Sequence, residues 1–202
     1  MTYAARSGVL PLALFVWAIL LTGPTILLHE AGHALAAHVH GQAVTLGAFA
    51  ISYPGDIMLT AQERALVAAA GPLVSLMLAF AGVLLVSTTL AHRPNWQAPA
   101  LAIIVASLAR FAVTLAFLPI SILRWAFGTE ASEPNFDEYN FASRLDLPVF
   151  PILVGLLIAC LLFGRFVDCR LPEGRKRKSW AALVAGTIFG IAIWAMIGSF
   201  LF

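Results

Sequence analysis

Long apolar runs constrain how this chain can fold more than any other feature of its sequence. About 20 residues in helical form cross the hydrocarbon core of a bilayer. Five stretches reach about that length, and they are 9–40, 66–90, 98–127, 149–167 and 179–201. Because 61% of the residues are hydrophobic and only 11% are charged, a soluble core could not bury this apolar surface. We therefore predict an all-α polytopic membrane protein of about five transmembrane helices, forming a single membrane-embedded domain over residues 1–202.

The rest of the composition excludes several other classes of protein. A net charge of +2 is too small to indicate a nucleic-acid partner. Cys160 and Cys169 form no CxxC pair, so neither a disulfide framework nor a thiolate zinc site is indicated. Arg6 and the apolar run after it resemble a secretory signal peptide, but no small-residue cleavage site follows them. A retained first helix is the prediction, with a kink at Pro24 and an end at Gly41, and a cleaved signal is the alternative.

Residues 42–60 differ from the apolar runs on either side. Apolar residues alternate loosely from Val44 to Ala50, and the segment 53–56, Tyr-Pro-Gly-Asp, is a turn signal. This pattern favours a short re-entrant β-hairpin, whose open edge must be buried in protein or face water at membrane depth. Such an edge could capture an extended polypeptide by strand addition. A loop that only covers a nearby site is the alternative.

The charges of the links between the apolar runs orient the chain. The link at 168–178 carries five bases against two acids, whereas the link at 128–147 carries half of all the acids. Cytoplasmic links are enriched in Lys and Arg, so 168–178 is predicted to be cytoplasmic, together with the N-terminus and the link at 91–97. The 42–60 segment, the acidic link and the C-terminus then lie on the other side. We expect a multi-pass protein of a bacterial inner membrane, with His29 nearer the non-cytoplasmic face.

The strongest chemical signal is the segment 29–33, His-Glu-Ala-Gly-His. Residues four apart lie on the same face of a helix, so the imidazoles of His29 and His33 can bind one Zn²⁺. Glu30, about 100° round the helix from His29, can reach a metal-bound water and act as its general base. A chance HExxH in a soluble helix is the alternative. It is disfavoured because burying three ionisable groups in an otherwise apolar run is costly unless they have a function.

The segment 26–37, followed by Gly41, resembles the metal-binding motif of the site-2 protease family of intramembrane zinc metalloproteases. Residues 69–73, Ala-Ala-Gly-Pro-Leu, resemble that family's second landmark, and the resemblance extends from residue 20 to residue 145. It implies cleavage of transmembrane or membrane-tethered proteins, with an Asp on a later segment as the third zinc ligand. Ser75 stands where the family commonly has Asn, and the segment 135–138 where it commonly has Asp-Gly.

The third ligand must come from outside the first helix. On the predicted topology, the acidic link lies on the same side as His29, and its acids are Glu130, Glu133, Asp137, Glu138 and Asp146. We predict Asp137, because it lies mid-link, where a re-entrant segment could dip to the metal, and where the resemblance expects the family's Asp. Asn135 is predicted to orient substrate or ligand, and it is grouped with Gly71 and Pro72 as substrate-binding. Glu138 is the next candidate ligand, and a solvated acidic loop is the alternative for the whole link.

Arg110 is the remaining charge in the middle of an apolar run. It predicts an interior pair with an acid or a water-filled cavity, and snorkelling to the interface is the alternative. His40 lies beyond the motif on the same face, where it could line an entrance or simply mark a wet helix end. The tryptophans at predicted run ends fit an aromatic belt, and they are Trp96, Trp125 and Trp180.

These features predict a zinc-dependent metalloendopeptidase that hydrolyses peptide bonds of membrane-embedded or membrane-tethered protein substrates within the lipid bilayer. The sequence indicates no oligomeric state. The rival class is a catalytically silent metal-binding membrane protein that acts as a binding or chaperone module, and the intact Glu30 argues against it. A metal transporter would carry ionisable residues along several runs, whereas Arg110 is the only one in mid-run outside the motif.

Overall fold

The computed structural model describes residues 11–88, 94–127 and 135–202, which are mainly helical. Their elements are, in order, α1 (Pro11–Val39), β1 (Thr45–Leu46), β2 (Ile51–Ser52), α2 (Ala61–Ser87), α3 (Pro94–Ala116), α4 (Leu118–Phe127), α5 (Asp137–Arg144), α6 (Val149–Arg170), a 3₁₀ turn (Glu173–Arg175) and α7 (Lys176–Leu201).

Five helical segments of the described chain are long and apolar enough to cross a membrane, by their length and composition. They are Pro11–Val39, Ala61–Ser87, Trp96–Leu123, Val149–Arg170 and Glu173–Leu201. Each contains most of one predicted apolar run, and α1 continues through Pro24 as one helix. The second was predicted to begin at residue 66 and begins earlier, because Thr60 and Glu63 form a capping box. The polar residues before the apolar run are therefore its first turn.

The third apolar run is divided between α3 and α4 at Phe117. Pro119 lacks an N–H and so cannot donate to the carbonyl four residues earlier, which interrupts the helical hydrogen bonding. The chain closes the gap with a tighter turn, in which Phe117 N donates to Thr114 O at 3.1 Å.

The hairpin predicted within 42–60 is present. Strands β1 and β2 pair antiparallel, with Thr45 opposite Ser52 and Leu46 opposite Ile51. The chain reverses between Gly47 and Ala50, where Gly47 N donates to Ala50 O at 2.9 Å. The 53–56 segment lies after β2, where it leads the chain toward α2. A β-turn signal can thus mark the exit from a hairpin as well as its reversal.

The second half of the acidic link is the helix α5. This helix packs against α2 and α6. Two polar contacts tie it to the end of the third apolar run: Thr114 Oγ1 donates to Glu138 Oε2 at 3.2 Å, and the hydroxyls of Ser121 and Tyr139 are hydrogen-bonded to each other. Of the five acids in this link, Glu130 and Glu133 lie outside the described residues.

Helix α1 is the centre of the molecule, and it packs against α2, α3 and α7. Small residues let α7 approach closely, because a Cβ at Gly186 would lie 2.5 Å from Phe15 O and one at Gly190 2.7 Å from Thr22 Cβ. Near its C-terminal end α7 also meets the hairpin, where Trp194 Nε1 donates to Ala48 O at 2.8 Å. The hairpin and the end of α7 therefore lie at the same end of the bundle.

Candidate metal centre

The two histidines of the HExxH segment lie on the buried face of α1 and meet Asp137, the first residue of α5. The Nε2 atoms of His29 and His33 are 3.1 Å apart. Asp137 Oδ2 lies 3.1 Å from His29 Nε2 and 3.3 Å from His33 Nε2. Three potential ligand atoms from helices more than 100 residues apart in sequence thus form a nearly equilateral triangle.

The other ring nitrogen of each histidine is held by α2. His29 Nδ1 lies 2.8 Å from Ser75 Oγ, and His33 Nδ1 lies 2.6 Å from the Val67 carbonyl oxygen. A carbonyl oxygen only accepts, so His33 Nδ1 carries the proton of the neutral ring and its Nε2 presents a lone pair to the triangle. Holding the remote nitrogen of a ligating histidine in this way fixes both the tautomer and the orientation of the ring.

Glycines make room for this arrangement where α1 and α2 cross. A Cβ at Gly71 would overlap His33 Nε2 and lie 2.6 Å from His29 Nε2. A Cβ at Gly32 would lie 2.8 Å from a methyl group of Val74 and 3.0 Å from Ala70 O. Both positions therefore require glycine, the first for the imidazoles and the second for the close approach of the helices.

The triangle has the dimensions and the chemistry of a metal site. Ligand atoms around a tetrahedral Zn²⁺ at about 2.0–2.1 Å lie about 3.3–3.4 Å from one another, close to the 3.1–3.3 Å observed. His29, His33 and Asp137 could therefore hold a metal ion, with two imidazoles and one carboxylate as donors.

No protein-family model, curated protein or solved structure matches this chain.

Glu30 lies beside the triangle and is bridged to it by Arg110. Arg110 Nη1 is paired with Glu30 Oε1, and Arg110 Nη2 lies 3.5 Å from Asp137 Oδ2. Only 2% of the Glu30 side chain is exposed, against 35% of the Arg110 side chain. The predicted pairing of Arg110 with an interior acid is confirmed, and this guanidinium compensates a carboxylate that would be costly to bury alone.

Two cavities border this group of residues. One of about 260 Å³ is lined by His29, Arg110, Asp137, Glu138 and by apolar residues that include Phe49 and Ile191. The other, which we call the polar cavity, has a volume of about 430 Å³. Glu30, His33 and Asp137 lie in its wall, together with residues of β2, the start of α2 and α5. The candidate centre is thus reachable from two sides by a group larger than water.

The other residues predicted for the site fall at varying distances from it. Asn135 is exposed, lines the polar cavity and accepts a hydrogen bond from Asn140 Nδ2 at 2.9 Å. Gly71 contacts the histidines, whereas its neighbour Pro72 lines neither cavity. Their assignment to substrate stays a prediction.

The remaining candidate acids and histidines of the described chain have other surroundings. Glu138 is buried against Thr114, and this burial raises its pKa. Asp146 is exposed in the turn after α5. His40 Nδ1 lies 3.5 Å from Glu63 Oε1 at the end of α1.

Helix α2 contributes three residues to the site, of which Gly71 was predicted as substrate-binding, whereas the contacts of Val67 and Ser75 with the histidines were not predicted. Val67, Gly71 and Ser75 follow one another at intervals of four, so they lie on one face of the helix. The Val67 carbonyl and the Ser75 hydroxyl lie within hydrogen-bonding distance of the histidines. Gly71 leaves the space that the two imidazoles occupy, because it has no Cβ. The same spacing of four residues places His29 and His33 on one face of α1.

Proposed function

We propose that the chain is a multi-pass membrane protein that acts as a zinc metalloprotease of the kind its motifs resemble, the site-2 protease family. One observation carries the proposal: His29, His33 and Asp137 converge on a single point, with Glu30 beside it, inside a bundle of apolar helices. Two imidazoles and a carboxylate, with a separate glutamate as base, are the donor set of catalytic zinc peptidases.

The proposed chemistry is hydrolysis of a peptide bond. Zinc, when bound, lowers the pKa of a water and polarises a carbonyl oxygen. Glu30 takes the proton from the attacking water and returns it to the leaving amine. Arg110 holds Glu30 Oε1, which positions the carboxylate and leaves Oε2 as the oxygen for proton transfer. Ser75 and the Val67 carbonyl keep both imidazoles turned toward the same point.

The proposed substrates are membrane-embedded or membrane-tethered proteins. A peptidase needs an extended backbone at its centre, and β2 contributes Ile51 to the wall of the polar cavity. This placement supports capture of an unwound segment by strand addition at the hairpin. A hairpin that only covers the site stays the alternative. The lipid bilayer is the proposed surrounding of the five apolar helices, and a bacterial inner membrane the proposed location.

The rival function is a catalytically silent protein that keeps the metal and the fold. The pairing of Glu30 with Arg110 gives this rival some support, because an ion pair can hold a buried acid for structural reasons alone. The accessible cavities on both sides of the centre favour the enzyme, since a purely structural zinc site is closed.

Replacing Asp137, the third proposed zinc ligand, tests the proposed function. Asp137→Ala should lose zinc and cleavage of co-expressed membrane proteins together, because two imidazoles alone hold the metal weakly. Asp146→Ala removes an exposed acid two residues after the end of the same helix, and it should retain both properties. Zinc is measured by elemental analysis of the purified protein, and cleavage by the size of the substrate on a gel. Full zinc occupancy in Asp137→Ala would contradict the assignment, and a wild type that binds zinc but cleaves nothing would favour the silent protein.

A further inference from the structure

The described residues that line the polar cavity carry more positive charge than negative charge. Three guanidinium groups line it, those of Arg64, Arg110 and Arg144, against the carboxylates of Glu30 and Asp137. Arg110 is paired with both of these carboxylates. On the proposed function, the charge of Asp137 is further committed to the metal. Among the described residues of the cavity wall, Arg64 and Arg144 are thus left without a partner acid.

Neither arginine finds an acid elsewhere in the described residues. Arg64 and Arg144 form no ion pair there, and Arg64 Nε is buried without a hydrogen-bond partner. The neighbouring acid, Glu63, is instead hydrogen-bonded to Thr60 and lies near His40. A buried donor without an acceptor costs free energy, so this nitrogen is suited to a group that arrives from outside.

The two arginines come from separate elements and share a cavity with the reacting groups. Arg64 lies in the first turn of α2, and Arg144 is the last residue of α5. Glu30, His33 and Asp137 line the same cavity. An anion held by these guanidiniums would belong to a molecule that also reaches the metal centre. This favours the substrate over a lipid headgroup as its source.

We propose that Arg64 and Arg144 bind a carboxylate of the substrate, and so select polypeptides that carry an acidic group close to the cleaved bond. This inference rests on the proposed function and names its substrate class. Guanidinium groups form forked, charge-assisted hydrogen bonds with carboxylates, which makes them suited to this recognition. The carboxylate comes either from an Asp or Glu side chain or from a free C-terminus.

Peptide hydroxamates test the preference for an acidic substrate without requiring turnover, because the hydroxamate itself binds the metal. The probes are fluorescent peptides of Leu, Phe and Ala with one Glu at the first, second or third position after the hydroxamate, matched by Gln peptides, all C-terminally amidated. A neutral peptide with a free C-terminus represents the second source. Kd is measured by anisotropy on the zinc-loaded full chain in an uncharged detergent.

The wild type should bind one of the acidic probes about ten-fold more tightly than its neutral match, as expected for a charge-assisted hydrogen bond. A preference for Glu identifies a side chain, and a preference for the free C-terminus identifies a terminal carboxylate. Arg64→Gln and Arg144→Gln should each lose most of this preference while retaining zinc. Arg165→Gln, an exposed arginine of α6, is the control and should keep the preference. Arg64→Lys keeps the charge and should keep part of the preference even if Arg64→Gln fails to fold.

Two results would overturn the inference in different ways. Equal Kd values for acidic and neutral probes at every position, or a preference unchanged in both Gln variants, would overturn it alone. Failure of every hydroxamate to bind, or binding that survives removal of the metal by a chelator, would overturn the proposed function and the inference with it.

Discussion

Each candidate ligand of the metal centre is positioned by a second group. His29 is held by a hydroxyl and His33 by a carbonyl, both from α2. Asp137 lies 3.5 Å from Arg110 Nη2, which also links it to Glu30. Such outer contacts orient ligands before the metal arrives, and removing one commonly costs about 10–100-fold in metal affinity. The site is therefore built by four helices rather than by the HExxH segment alone.

Ser75→Ala tests whether a single outer hydroxyl orients a metal ligand. It removes the partner of His29 Nδ1, so zinc affinity should fall by about 10–100-fold while the fold is retained. Competition with a metal-binding dye measures the affinity. Ser107→Ala is the matched control, because Ser107 Oγ is also buried in an apolar helix but has no hydrogen-bond partner among the described residues. An unchanged affinity in Ser75→Ala, or an equal loss in Ser107→Ala, would show that the hydroxyl does not orient the ligand.

Helical spacing explains which of these residues the sequence could predict. His29 and His33 are brought together by one turn of one helix, so their pairing follows from local geometry. The partner of Arg110 lies 80 positions away, so the sequence predicted an interior acid but could not name Glu30. The sequence analysis noted Ser75 only because the site-2 protease family commonly has Asn at this position. It could not predict the contact with His29, because nothing local to α2 shows which of its faces meets α1.

Among the elements, α1 carries most of the candidate site and lies at the centre of the bundle. It carries His29, Glu30 and His33, and it contacts α2, α3 and α7. In a membrane, apolar helices associate by close packing rather than by exclusion of water. The glycines of α7, Gly186 and Gly190, provide this packing against α1.

Gly190→Leu should therefore lower the thermal stability of the protein in detergent. The added side chain would meet Thr22, since even a Cβ would lie 2.7 Å from that residue's Cβ. A cost of about 1–3 kcal/mol is typical of such overpacking. The midpoint of thermal unfolding measures it. Gly155→Leu in α6 serves as control, because nothing lies within 4 Å of a Cβ there, and its midpoint should stay near that of the wild type. Equal midpoints for the two variants would refute close packing of α1 on α7.

The short elements were the hardest to predict from the sequence. Helix α5 has eight residues, and most of them are polar or charged, so it shows no apolar stripe at helical spacing. Its residues Glu138 and Tyr139 contact Thr114 and Ser121, and only the folded chain provides these contacts. The prediction of Asp137 rested on charge and on the family resemblance, and the structure places that residue within 3.3 Å of both histidines.

At the scale of the whole molecule, the apolar runs predicted the long helices because length and composition alone define them. The sequence does not predict how these helices pack, because their packing depends on which small residues face one another. The direction of the bundle in a membrane remains a proposal that rests on charge. Five basic residues cluster where α6 ends and α7 begins, and they are Arg170, Arg175, Lys176, Arg177 and Lys178.

Reporter fusions test this orientation. Because Lys and Arg are retained in the cytoplasm, a reporter placed after Lys178 should be cytoplasmic, and one placed after Phe202 should be external. Alkaline phosphatase activity and green fluorescence distinguish the two sides. Reversed readings would place the hairpin and the polar cavity on the cytoplasmic side. The chemistry at Glu30 would be unaffected, but a different set of substrate segments could reach it.

On the proposed function, Glu30 acts as a general base at a metal held by other residues. Glu30→Gln retains the size of the side chain and can still accept from Arg110, but it cannot take a proton. The most direct measurement is therefore cleavage of a co-expressed membrane protein by wild type and Glu30→Gln, with zinc content determined on the same purified samples. The account predicts equal zinc in both proteins and a loss of cleavage by orders of magnitude in the variant. Cleavage by Glu30→Gln at the wild-type rate would contradict it.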